Sequence, residues 1–217
     1  MGIVGILFVI LLLLNCPLAF TIAISSLAFF LMNPEVSWIT PVQRMVSNTQ
    51  SFPLLAVPFF VLAGNLMNAT GITRRLIKFS TILTGHLRGG LAHVSCVLST
   101  LMGGISGSAC ADAAMEARIL GPDMIKRGYS KGFSASVIAL TSLITATIPP
   151  GVGLILYGVT GGVSIGKLFV AGIVPGIIMM VFLMFASGRI ARKRRYPVEN
   201  ERPPKAGEVW AGLKESI

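Results

Sequence analysis

Charge is what this sequence has least of. Asp, Glu, Lys and Arg make up 12% of its 217 residues, where a soluble domain carries about a quarter. Acids are scarcer still: eight in all, and between residues 36 and 198 only Asp112, Glu116 and Asp123. A water-soluble surface of this size is excluded. Three cysteines, Cys16, Cys96 and Cys110, lie inside apolar runs without metal-ligand spacing, which excludes a disulfide framework or a zinc centre. His86 and His93 have no partner pattern and fit surface or packing positions rather than a proton relay. No nucleophile, base and metal constellation is present, so an enzyme is not expected. The Gly103–Ser108 stretch lacks the following Gly-Lys-Ser/Thr of a phosphate loop. The net charge of +10 comes without any nucleic-acid-binding motif, and nucleic acid is not an expected partner.

What is present is apolar length. Residues 1–32, 45–73, 89–111, 132–166 and 168–188 contain no Asp, Glu, Lys or Arg, and each exceeds the ~18 residues that mark a candidate membrane span. The basic residues cluster beside these runs: Arg74, Arg75, Lys78 and Arg88, then Lys126, Arg127 and Lys131, then Arg189 and Arg192 to Arg195. Loops of that kind face the cytoplasm. The sequence predicts an all-α, multi-pass integral membrane protein of the lipid bilayer. Residues 1–32 lack the basic start of a signal peptide and are expected to stay as membrane helix. They form one tilted helix or a pair meeting at Asn15-Cys16-Pro17. Residues 33–52 read as a periplasmic or interfacial loop with Trp38 as an interface anchor. Residues 53–88 read as a transmembrane helix plus a basic amphipathic helix lying along the cytoplasmic surface.

Two stretches break the pattern. Within residues 129–166, the 35 uncharged residues 132–166 are too long for one span and short for two, since as helix they would reach ~52 Å. Pro149 and Pro150 disrupt helix at that point, so a broken transmembrane helix is expected. The second stretch, LMGGISGSACADAAM at 101–115, puts helix-breaking residues and an acid inside an apolar run. If residues 89–111 crossed the membrane outright, two of the three basic clusters would fall outside. If 89–125 dips in and returns as a re-entrant hairpin, all three stay cytoplasmic. The charges favour the hairpin. Irregular backbone at membrane depth requires a lining of protein or water. Exposed carbonyls at the tip suit a cation, and the helix N-terminus near Ser108 suits an anion. Residues 167–195 complete a last transmembrane helix with a basic cytoplasmic end, and 196–217 read as a linker.

GGISGSACADAA, ITATIPPGVGLILYG and GVSIGKLFVAGIVPG, preceded in order by SFPLLAVPFFVLAGNLMNATGITRR and GHLRGGLAHV, resemble the large (M or DctM-type) permease subunit of tripartite ATP-independent periplasmic (TRAP) transporters. The resemblance covers essentially residues 1–197. It implies a sodium-driven secondary importer of organic acids, C4-dicarboxylates or sugar acids, in the bacterial inner membrane. It also implies an elevator-type fold of two inverted repeats, a small four-helix membrane subunit and a periplasmic solute-binding protein as partners. Sodium is implied as the coupling ion, without other cofactors. The family's large subunit is about twice as long, so the chain is expected to be its N-terminal half, the linker leading toward a missing second repeat. A half-permease that is inactive or serves assembly alone is the rival reading.

By motif match the first sodium site draws on Gly103, Ser106, Gly107, Ser108 and Asp112 of the hairpin and on Thr145, Thr147, Ile148 and Pro149 of the break. Ser108, Pro150 and Gly151 are the expected substrate-facing positions. Each has an alternative. Small residues at 106 and 108 also permit close helix packing, and threonines also bond back to helix carbonyls. Asp112 either attracts the cation, faces a vestibule or carries protons in a proton-coupled carrier. Glu116, at i+4 on the same face, reads as structural. Arg118 reads as snorkelling to the interface. The Gly158/Gly162 and Gly172/Gly176 pairs carry a weak helix-packing signal.

Overall fold

The computed structural model describes residues 2–216 other than 34, 36, 38, 51 and 201. Trp38, the expected interface anchor, lies outside the described residues. All regular structure among those described is helical. The chain divides into two compact units, Met1–Ser51 and Phe52–Ile217.

In the first unit α1 (Gly2–Leu13) packs on α2 (Leu18–Met32). Residues 1–32 thus form two helices, with Asn15 at the turn in the left-handed region (φ 58°). Pro17 precedes α2, where its fixed φ suits a helix entrance. Thr21 Oγ1 donates to the carbonyl oxygens of Cys16 and Pro17, each 3.3 Å away. The stretch expected as an interfacial loop contains α3 (Ile39–Thr49). Its apolar residues Ile39, Val42, Met45 and Val46 fall at helical spacing on one stripe. Pro41 suggested a loop, yet it sits in the first turn, where proline is tolerated.

The second unit runs α4 (Phe52–Ala69), α5 (Ile72–Thr84), α6 (Gly90–Gly103), α7 (Ala109–Lys126), α8 (Lys131–Thr147), α9 (Val152–Gly161), α10 (Ile165–Lys193) and α11 (Ala206–Ser216). Helix α8 is the centre, packed against α6, α7 and α10. Leu91, Val94, Leu98 and Met102 of α6, Leu120 and Met124 of α7, and Val137 and Ile138 of α8 form the apolar core. Serine caps start two of these helices. Ser108 accepts the Ala111 N–H at 3.4 Å and Ser130 accepts the Phe133 N–H at 3.4 Å, each supplying one of the partners that a helix start lacks. Helices α8 and α9 are bent by 46° across residues 148–151. Helix α10 has 29 residues and is long and apolar enough to cross a membrane; α8 and α9 pass that test together. Helix α6 has 14 residues, about 21 Å, well short of a ~30 Å hydrocarbon core.

The residues after α10 differ from the linker expectation. The Gly89 N–H donates to Pro197 O at 3.0 Å, and the Glu199 and Asn200 N–H groups both donate to Gly85 O, at 2.8 and 3.0 Å. Gly89 has φ +78°, and a Cβ there would overlap that of Ala191; the close approach of α10 needs a glycine. Tyr196 stacks on Tyr129 with ring centroids 4.4 Å apart, and Arg127 pairs with Glu199. Helix α11 then lies on α5, with Lys78 Nζ 2.7 Å from Glu215 Oε1. Every partner is over 60 residues away in sequence, so the proline-rich composition alone could not disclose this strap.

Burial pushes the Glu199 carboxyl above its ordinary 4.5, Arg127 opposing and Asp123 adding to the rise. A carboxyl raised in the folded state supports folding fully below its unfolded value and loses that support as pH climbs through the folded value. The variant Glu199→Gln should therefore gain thermal stability relative to the parent as pH rises above about 4.5. Unfolding of both in detergent across pH 4 to 8 checks this; a constant difference between them would refute it.

Candidate functional site

The two irregular segments meet. The tip between α6 and α7, residues 104–108, lies against the break between α8 and α9. Gly107 O accepts the Val152 N–H at 3.3 Å, which links the tip to the first turn of α9. Gly107 has φ +56°, and a Cβ there would overlap the Pro150 carbonyl oxygen, so only glycine fits. A Cβ on Gly103 would come 2.8 Å from Ile148 Cβ. From the other side Gly172 and Gly176 of α10 approach the Thr147 carbonyl and the Ile148 side chain, and Gly64 of α4 faces Ser106. Glycines thus let α6, the tip and α10 close onto the break, and α4 onto the tip. The Pro149–Pro150 peptide within it is cis.

One turn from the tip is a buried polar cluster built from three pairs at i, i+4. Helix α6 supplies Ser95 and Ser99, α7 supplies Asp112 and Glu116, and α8 supplies Thr141 and Thr145. Both acids are buried, Asp112 at 1% exposure and Glu116 at 0%. Ser95 Oγ donates to Glu116 Oε2 and lies 2.7 Å from Thr141 Oγ1. Ser99 Oγ donates to Glu116 Oε1 at 2.8 Å. Thr145 Oγ1 donates to Ser99 O at 2.9 Å and stands 2.5 Å from Asp112 Oδ2. Asp112 Oδ1 is buried without a partner. The ion pairs among the described residues, Lys78–Glu215 and Arg127–Glu199, lie elsewhere. An ionised carboxylate in such a setting costs many kcal/mol unless a cation or a proton joins it.

The structure therefore gathers some expected residues and separates others. Asp112 and Thr145 touch. Gly103, Ser106, Gly107 and Ser108 line the tip, and Ile148, Pro149, Pro150 and Gly151 form the facing break. Ser106 Oγ reaches back to Met102 O at 3.5 Å, and Ser108 Oγ is engaged as the cap of α7. The Thr147 hydroxyl points away from Asp112, donating to Leu143 O at 2.9 Å. Glu116, read from the sequence as structural, belongs to the polar cluster. Ser95, Ser99 and Thr141 were missed, although hydroxyls at i, i+4 within charge-free runs are visible in the sequence.

The chain matches the family model described as the tripartite ATP-independent periplasmic transporter, DctM component, over residues 4–215. It belongs to the DctM family. It is 38% identical over 210 residues to the sialic acid TRAP transporter permease protein SiaT of Haemophilus influenzae, covering 96% of this chain and 33% of that relative. It is 39% identical over 208 residues to the ectoine TRAP transporter large permease protein TeaC of Halomonas elongata, covering 94% and 48%. It is 31% identical over 205 residues to the C4-dicarboxylate TRAP transporter large permease protein DctM of Rhodobacter capsulatus, covering 88% and 47%. The chain thus spans a third to just under half of the length of these relatives. DctM proteins are membrane permeases, and α10 supplies the long apolar helix such a protein requires.

Two threonines of this DctM chain separate the cluster from its surroundings. Thr145→Val keeps the shape but strips the hydroxyl from Asp112 and should cost about 1–3 kcal/mol. Thr147→Val removes a bond back to its own helix and a weak 3.7 Å contact with Met179 Sδ, and should stay within about 0.5 kcal/mol. Equal losses in thermal unfolding would show that the Asp112 contact carries no special weight.

Proposed function

We propose that this chain is one half of the large permease of a sodium-coupled TRAP importer of organic acids, in a bacterial inner membrane that it crosses several times. In this reading α6 and α7 form a re-entrant hairpin and α8–α9 a broken membrane helix, together the core of the first of two inverted repeats of an elevator-type fold. A small four-helix membrane subunit and a periplasmic solute-binding protein complete the system, the latter delivering C4-dicarboxylates or sugar acids. The observation that carries the reading is the buried Asp112 carboxylate, with Oδ1 unpartnered, one turn from a tip and a break that face each other. Sodium is a hard cation that takes several oxygens, and carboxylate, hydroxyl and backbone oxygens are what these segments offer. A cation there would tie hairpin to break and fix the helix N-termini that receive an anionic substrate. The substrate-facing positions in this reading are Ser108, Pro150 and Gly151.

A second reading, proton coupling, has its own observation. Thr145 has one hydroxyl proton and two acceptors in range, Ser99 O at 2.9 Å and Asp112 Oδ2 at 2.5 Å. Both contacts are hydrogen bonds only if the Asp112 carboxyl carries the second proton.

Proteoliposomes holding this chain, a supplied second half, the small subunit and the binding protein distinguish these readings. Uptake of labelled organic acid should require both a sodium gradient and the second half, and Asp112→Asn should reduce it by at least about tenfold. Uptake driven by a pH gradient without sodium would move the assignment to protons. Uptake without the second half would overturn the half-permease architecture.

A further inference from the structure

At the end of the second unit away from the hairpin tip, the α5–α6 turn, the start of α6 and the last turns of α10 enclose a cavity of about 410 Å³. Arg88, Arg189 and Arg192 line it, together with His93. It adjoins a second hollow of about 390 Å³ that shares Arg88 and Arg192 and adds His86. No Asp or Glu lines either one. None of the three arginines takes part in an ion pair among the described residues. His93 is 5% exposed, and its Nδ1 is buried without a hydrogen-bond partner. The cavity's remaining wall is apolar: Leu87, and Met184, Phe185 and Gly188 of α10. Phe185 continues an exposed apolar face that includes Val181 and Phe182.

Cations near a helix C-terminus are favoured by its dipole, which accounts for Arg192 at the end of α10. It does not account for Arg88, which comes from a different element and converges on the same hollow. Nor does it explain why the apolar face of α10 runs directly into that hollow. A free anion needs only the cationic half of this arrangement. A molecule with a phosphate at one end and hydrocarbon at the other uses both halves, and basic pockets between membrane helices take such head groups.

We propose that this cavity binds the phosphate of an anionic phospholipid head group, with its acyl chains along the Met184–Phe185 face of α10. Arg88 and Arg192 hold the phosphate from two sides, and Arg189 adds charge at the rim. Guanidinium groups suit the task because their forked donors match phosphate oxygens. The site lies apart from Asp112 and the tip, so it does not depend on which ion drives transport. It rests on the membrane reading alone.

The test is native mass spectrometry of the purified full chain released from mixed micelles containing equal phosphatidylglycerol and phosphatidylcholine. The chain should retain phosphatidylglycerol over phosphatidylcholine by roughly tenfold. The double variant Arg88→Gln/Arg192→Gln should bring that ratio near one. The control Lys131→Gln, a basic residue outside the cavity, should leave it unchanged. Helicity by circular dichroism confirms that the variants are folded. Equal retention of both lipids by the parent would overturn the proposal. So would a fall as large in the control, which would mark general surface attraction. A third arm adds millimolar inorganic phosphate or glycerol 3-phosphate. If either displaces phosphatidylglycerol completely, the site is one for soluble anions and the lipid assignment fails.

Discussion

A carboxyl buried between helices must find all its partners among neutral groups when no cation is near. Asp112 and Glu116 face that constraint together, one turn apart on α7, and the arrangement of the second unit follows from it. Glu116 takes hydroxyls from Ser95 and Ser99, which fixes α7 against α6. Asp112 takes its contact from Thr145, which fixes α7 against α8. The helix that both others surround is the one whose threonines complete the cluster. Polar partners and apolar core thus choose the same helix packing, and such agreement between levels is what singles out one fold.

Asp112 Oδ1 is the one oxygen of the pair left without a partner. Asp112 is the acid of the pair nearer the tip along the chain. Glycines at 64, 103, 107, 172 and 176 remove the side chains that would otherwise hold these elements apart. In the proposed site the polar cluster and the bare backbone beside it divide the work. One supplies charge and hydroxyls, the other supplies carbonyls and helix ends.

Much of this was legible from residue order. The charge-free run 168–188 marked α10, Pro149-Pro150 marked the break, and Gly103 to Ser108 marked the turn between α6 and α7. These signals are local, carried by neighbours along the chain. The hydrogen bonds of Glu116 could not be read locally, because its partners, Ser95 and Ser99, sit on another helix. Thr147 looked equivalent to Thr145, yet a two-residue step on a helix turns a side chain through about 200°, so the two cannot face one acid. The strap of residues 196–200 was invisible for a related reason. Its long-range hydrogen bonds end on Thr81, Gly85, Gly89 and Ser130, and nothing near Pro197 points to them. α3 was hidden by a proline whose position in the first turn makes it harmless.

The three polar pairs share one spacing, and this makes the ladder ambiguous about its own register. Sliding α8 along its axis by four residues, about 6 Å, would put Thr141 at the height Thr145 now holds. One hydroxyl rung would be re-formed in the shifted position and only one lost. The hydroxyl contacts of α8 therefore favour the observed register by a single rung and leave most of the decision elsewhere. That decision falls to features that do not repeat: Ile148 seated on Gly103, and the Val152 amide held by the Gly107 carbonyl. The tip acts as the stop on a sliding scale whose markings look alike.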